Sequence, residues 1–167
     1  MECFQVLEAG EGIEAAILRR LTGRGGLRGR CASESHPALL VVSPKAAARG
    51  MRLPEQCRTL LLPGGMGGVR PRAASAVSYG VSPRDSLTIS SREGETLWAA
   101  LQRELVTVDG RVVERQEFPL RLEPGAGELP ALAVAGALLL LGVPPEELGN
   151  ENPRRARRHG GDGQISH

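Results

Sequence analysis

The residues best suited to chemistry in this sequence are the glycines and arginines of Pro63-Gly64-Gly65-Met66-Gly67-Gly68 and its continuation through Arg70 and Arg72. Glycine has no side chain to hold a ligand away, so successive backbone N–H groups can close on an anion. The segment follows the apolar run 60–62, and α/β folds bind ligands just beyond the carboxyl ends of their strands. Gly64, Gly65, Gly67, Gly68, Arg70 and Arg72 are therefore the candidate ligand-binding residues. They suit a nucleotide, a sugar phosphate or another small anion. The segment lacks the Lys-Ser/Thr of a phosphate loop and the spacing of a dinucleotide fingerprint. The competing reading is a flexible turn from strand to loop.

Other reactive side chains form no pattern. The histidines are His36, His159 and His167, and the last two fall in a polar C-terminal tail. Ser-His-Asp catalysis would have to use His36, and no Gly-x-Ser-x-Gly elbow accompanies it. Cys3, Cys31 and Cys57 make no CxxC pair, and their odd number argues against a disulfide framework. They read as reduced, mostly buried thiols, without metal-ligand spacing. Glu114, Glu117 and Asp85, the last beside Arg84, read as solvated charge. Glu146 and Glu147 stand at an expected helix start, where the helix dipole favours them. No catalytic residue, metal ligand or cofactor motif emerges, which points away from an enzyme.

The elements that must position these residues follow from composition and pattern. The chain has 167 residues, the size of one ordinary domain, and 41% of them are hydrophobic. Only 2% are aromatic, so the core must be aliphatic. Aliphatic layers suit helices packed on a parallel sheet, and the expected class is α/β. The domain is expected to span 1–148, with a disordered Arg/Gly-rich tail over 149–167. The tail holds Arg154, Arg155, Arg157 and Arg158 against Glu151 and Asp162, which leaves 17 basic and 17 acidic residues in the body. A neutral body argues against a nucleic-acid surface, and the arginine cluster has no aromatic neighbour for stacking. The N-terminus carries no signal-peptide pattern. The most apolar run, 131–143, is too short to cross a bilayer and reads as a buried helix. A cytoplasmic protein without membrane contact is expected.

Residues 3–7 read as a first strand, broken by Gly10-Glu11-Gly12, and 12–22 as a helix from the spacing of Ile13, Ala16, Ile17 and Leu21. A mobile loop is expected over 22–30. The runs 39–42 and 60–62 suit parallel strands buried on both faces. Between them, 46–54 allows a short helix or a turn. Strand patterns follow at 76–79, 86–90, 97–101, 105–108, 111–114 and 117–122. Asp109-Gly110 marks a two-residue hairpin. The chain is thus expected to pass from α/β alternation to an antiparallel region near residue 75. A helix over 129–141 should end at Gly142 before Pro144-Pro145. One more helical turn is expected within 145–148. The architecture is a small, mainly parallel sheet with an antiparallel extension, covered by the last helix.

Two resemblances arise. Leu61-Leu62-Pro63-Gly64-Gly65 resembles the strand end of class I glutamine amidotransferase-like proteins, but no cysteine nucleophile follows Cys57. Residues 75–148 resemble the later part of the Mur ligase central domain. Ala76-Val-Ser-Tyr-Gly-Val-Ser-Pro-Arg-Asp85 is similar to that family's strand-plus-glycine segment. Ala131-Leu-Ala-Val-Ala-Gly-Ala-Leu-Leu-Leu-Leu-Gly-Val-Pro144 is similar to its alanine-rich helix. The departures are equally specific. The Gly-Thr-x-Gly-Lys-Thr/Ser loop is missing, Gly127-Glu128 stands near the family's His-Asn position, and Lys45, the only lysine, lies outside the match. The resemblance implies a shortened relative that keeps the scaffold without ATP binding or ligation. It would act as a non-catalytic binding or scaffold protein, through a homodimer or a protein partner.

Overall fold

Short aliphatic runs bounded by Ser, Pro and Gly make strands, and the computed structural model describes residues 3–22, 29–30, 36–68, 70–122 and 125–149. In chain order the strands are β1 (Cys3–Leu7), β2 (Gly29–Arg30), β3 (Leu39–Val42), β4 (Gln56–Pro63), β5 (Arg72–Gly80), β6 (Leu87–Glu93), β7 (Thr96–Leu101), β8 (Leu105–Val106), β9 (Val112–Val113) and β10 (Gln116–Arg121). The helices are α1 (Ile13–Leu21), α2 (Pro44–Ala48) and α3 (Glu128–Leu140), followed by a 3-10 turn at Pro145–Glu147. Eight strands form one sheet in the order β10-β7-β6-β5-β4-β3-β1-β2, and β8 pairs with β9 apart from it. The class is α/β, with a mostly parallel sheet and a small antiparallel one.

The changeover to antiparallel pairing falls later than residue 75. β5 runs parallel to β4 along its length, from Gln56↔Arg72 to Pro63↔Tyr79. β6 is still parallel to β5, but only at Tyr79↔Leu87 and Gly80↔Thr88. Because β6 starts level with the end of β5, the short bend 81–86 suffices and no crossover helix is needed. Antiparallel pairing begins beyond Gly94, whose φ of 60° makes the β6–β7 turn. The alternating pattern of β5 disguised its parallel pairing: Val77 and Tyr79 are buried, whereas Ala74 and Ala76 are exposed.

Phe4, Leu39, Val41, Leu61, Val77 and Tyr79 face α1 and α3 in the main core. Leu40, Val42, Leu60 and Leu62 form a smaller cluster on α2. Gly136 lets α3 sit close to the sheet, since a Cβ there would lie 3.1 Å from both methyl carbons of Leu61. The helix ends as its sequence dictates. Gly142, at φ 96°, donates to Leu139 O at 3.0 Å, and Val143 N donates to Leu138 O at 2.9 Å, closing a Schellman motif.

The Asp109-Gly110 hairpin is longer than a two-residue turn. Thr107 N donates to Arg111 O, and Gly110 N to Thr107 O, so three residues make the loop, with Gly110 at φ 89°. Of the expected loop 22–30, Gly29-Arg30 instead pairs in parallel with β1, while 23–28 lie outside the described residues, as does the tail from 150 onward. The cysteines also differ from expectation: Cys3 is disulfide-bonded, and Cys57 is a free, buried thiol whose pKa burial pushes up to about 11. An odd cysteine count leaves room for a single bridge. No helix among the described residues is long and apolar enough to cross a membrane.

Candidate functional site

Strand order directs attention to one crevice. β1 lies between β2 and β3, so the connections after β1 and β3 leave in opposite directions along the sheet. α/β sheets hold ligands at such a switch point, and a helix N-terminus there favours an anion. In this chain the anion is its own. The Glu8 carboxylate accepts from Ile13 N at 3.0 Å and from Glu14 N at 2.8 Å, the first free amides of α1. Gly12, the residue preceding the helix, has no side chain to make that cap.

Glu11, in the same loop, serves the second helix. Its carboxylate accepts from Ala9 N at 3.1 Å, from Lys45 N at 3.2 Å and from the Ser43 hydroxyl. Ser43 Oγ in turn accepts from Ala46 N at 3.0 Å, capping α2. Burial opposes ionisation of Glu11. The Ser43 hydroxyl, the N–H groups of Ala9 and Lys45, and the Lys45 charge outweigh it and hold the carboxyl below its ordinary range. Tyr79 lies beneath, with its hydroxyl donating to Val42 O at 2.6 Å. Burial first, then the Glu11 charge, drives the Tyr79 pKa upward.

The predicted glycine segment divides into parts with different surroundings. Gly64 closes against Asp85: a Cβ on Gly64 would overlap the Asp85 carboxyl, and one on Gly80 would come within 2.5 Å of Asp85 Oδ2. Asp85 is not the solvated charge that its sequence neighbours suggest. It is 5% exposed, and its Oδ2 accepts from Ser82 N at 3.1 Å. The first glycine of the segment therefore faces an acidic group, opposite to what a phosphate needs. Gly65 supplies only a left-handed turn, at φ 75°, with nothing near it.

Gly67 and Gly68 lie elsewhere, with Arg70 and Arg72, on a cavity of about 710 Å³ that Arg52 and Glu55 also line. Arg70 Nη2 donates to Met66 O at 3.0 Å, fastening the loop back on itself. This cavity runs from Ala46 and Ala47 of α2 to Glu55 and Arg72, where β4 and β5 begin, and so is not the pocket at the carboxyl end of β4 to which the sequence pattern pointed. Arg52 has no sequence signal: it sits in an irregular segment and joins the others only through the fold.

The remaining candidates stay apart. His36 is exposed, at φ 59°, and its ring is hydrogen-bonded by Gln56 Nε2. Glu114 and Glu117 are exposed, as expected. Arg154, Arg155, Arg157 and Arg158 lie outside the described residues. Among the described residues, no group of three His, Cys, Asp or Glu side chains is placed to hold a metal ion. Compared with known protein families and with curated proteins, the chain matches none.

Proposed function

We propose that this chain is a non-catalytic binding domain, related over residues 75–148 to the later part of the Mur ligase central domain, in which the helix start at the switch point is taken by the chain's own carboxylate. The observation that carries the reading is Glu8 on the first turn of α1. A nucleotide phosphate would need the same two amides and would meet Glu8 and Glu11 as like charges. The loop from Glu8 to Gly12 carries no basic side chain to offset them. Scaffold alone does not transmit activity, so the family's ligation is not assigned. The function left to such a domain is recognition: of a protein partner, of a second copy or of a small ligand.

The test is incubation with magnesium-ATP, followed for released phosphate and by calorimetry. No turnover is expected. Turnover above the blank, or tight ATP binding that persists after Arg52→Gln and Arg72→Gln, would refute the reading. Glu8→Ala is expected to lower folding stability by about 1 kcal/mol, as for loss of a helix cap, and urea denaturation measures this.

A further inference from the structure

The body's balance of charge conceals a local excess of arginine. Arg52, Arg70 and Arg72 line the 710 Å³ cavity, with Glu55 the single acid among its lining residues. A neutral total thus permits a local basic patch.

We propose that this cavity binds a small, free phosphomonoester carrying an apolar group. Three arginines line it. Among the described residues, no hydrogen bond or ion pair engages the guanidinium of Arg52 or Arg72, and Arg70 is held only by a main-chain carbonyl. Three arginines against one carboxylate leave the lining with net positive charge, which favours an anion. The planar fork of a guanidinium matches the paired oxygens of a phosphate. A phosphate dianion has enough oxygens for several forks, whereas a lone carboxylate has two. The cavity falls in the range of small-molecule sites, roughly 300–1,000 Å³, and is far larger than inorganic phosphate needs.

The rest of the lining states what fills that space. Met51, Leu53, Met66 and Pro71 provide an apolar wall, and methionine adapts to irregular or aromatic shapes. Gly67 and Gly68 leave open space where side chains would stand, so the ligand can reach main-chain amides. Neither Glu8 nor Glu11 lines this site. The inference deepens the binding-domain reading by naming a ligand, yet the two fail separately.

Calorimetry with phenyl phosphate tests it. Phenyl phosphate is expected to bind more tightly than inorganic phosphate, phenol should give no heat, and added salt should weaken the binding. Arg52→Gln and Arg72→Gln should each weaken it roughly tenfold or more, the usual effect of losing a hydrogen bond to a charged group. Arg52→Lys should recover part of the loss. Arg115→Gln, exposed and remote from the cavity, should change nothing. All three substituted arginines are exposed, so folding is expected to survive, and circular dichroism checks it. The proposal is overturned if phenyl phosphate gives no heat with the wild-type chain. Equal weakening by Arg115→Gln also overturns it. So does binding confined to phosphatidylcholine vesicles doped with phosphatidic acid, which would make the surface a lipid contact. ATP turnover with intact phenyl phosphate binding would overturn the non-catalytic reading alone.

Discussion

Gly64 and Asp85 are twenty-one positions apart in the chain but share one space. A methyl group at Gly64 would be driven into the Asp85 carboxyl. Gly64→Ala should therefore destabilise the fold by about 1–3 kcal/mol, the usual cost of overpacking. In an Asp85→Ala background the same substitution should cost less, and the double-mutant cycle in urea should show a coupling of about 0.5–3 kcal/mol. Gly65→Ala should behave differently. Its cost comes from φ 75°, and removing Asp85 should leave that cost unchanged. A coupling near zero for Gly64, or an equal coupling for Gly65, would show that the Gly64–Asp85 contact is not what demands glycine.

At the scale of elements, the loop between β1 and α1 joins two helix starts. Glu8 caps α1, and Glu11 holds the amide and hydroxyl groups that open α2. α2 has only five residues, too few to be stable alone, so these bonds and its packing on the sheet keep it in place. The Glu11 carboxyl is held below its ordinary value in the folded chain, so the unfolded state takes up a proton first as pH falls. Its contribution to stability is present above the unfolded value and disappears as pH falls through the folded one. Glu11→Gln should therefore flatten the acid side of the stability profile, with the largest loss relative to wild type at neutral pH. Denaturation midpoints measured across the acid range decide this, and parallel profiles for the two chains would contradict it.

Across the whole molecule, one apolar cluster runs from Phe4 and Ile13 through α3 to Phe118 and Leu120. The parallel half and the antiparallel extension consequently have no separate cores, and they should unfold together. Trp98, the only tryptophan, lies on β7 in the extension, whereas circular dichroism samples the whole chain. The two signals should change at one temperature. Leu139→Ala, at a fully buried position of α3, should lower both midpoints together through a loss of about 2–5 kcal/mol. Separate transitions would indicate two cooperative units.

The sequence by itself determined the elements with strong local causes. The aliphatic runs of β1, β3 and β4, the helical spacing of α1, and the glycine that ends α3 all depend on neighbours a few positions away, and each lies where the pattern put it. Tertiary structure decided everything that depends on partners distant in the chain. The register of β6 on β5 made a parallel pair without a helix. Burial turned Asp85 from an ordinary charged residue into the reason for two glycines. The fold split the glycine-rich segment, setting Gly64 against an acid and Gly67 and Gly68 beside arginines. It also brought in Arg52, because a cavity is assembled from side chains that meet in space, and local spacing records none of those meetings.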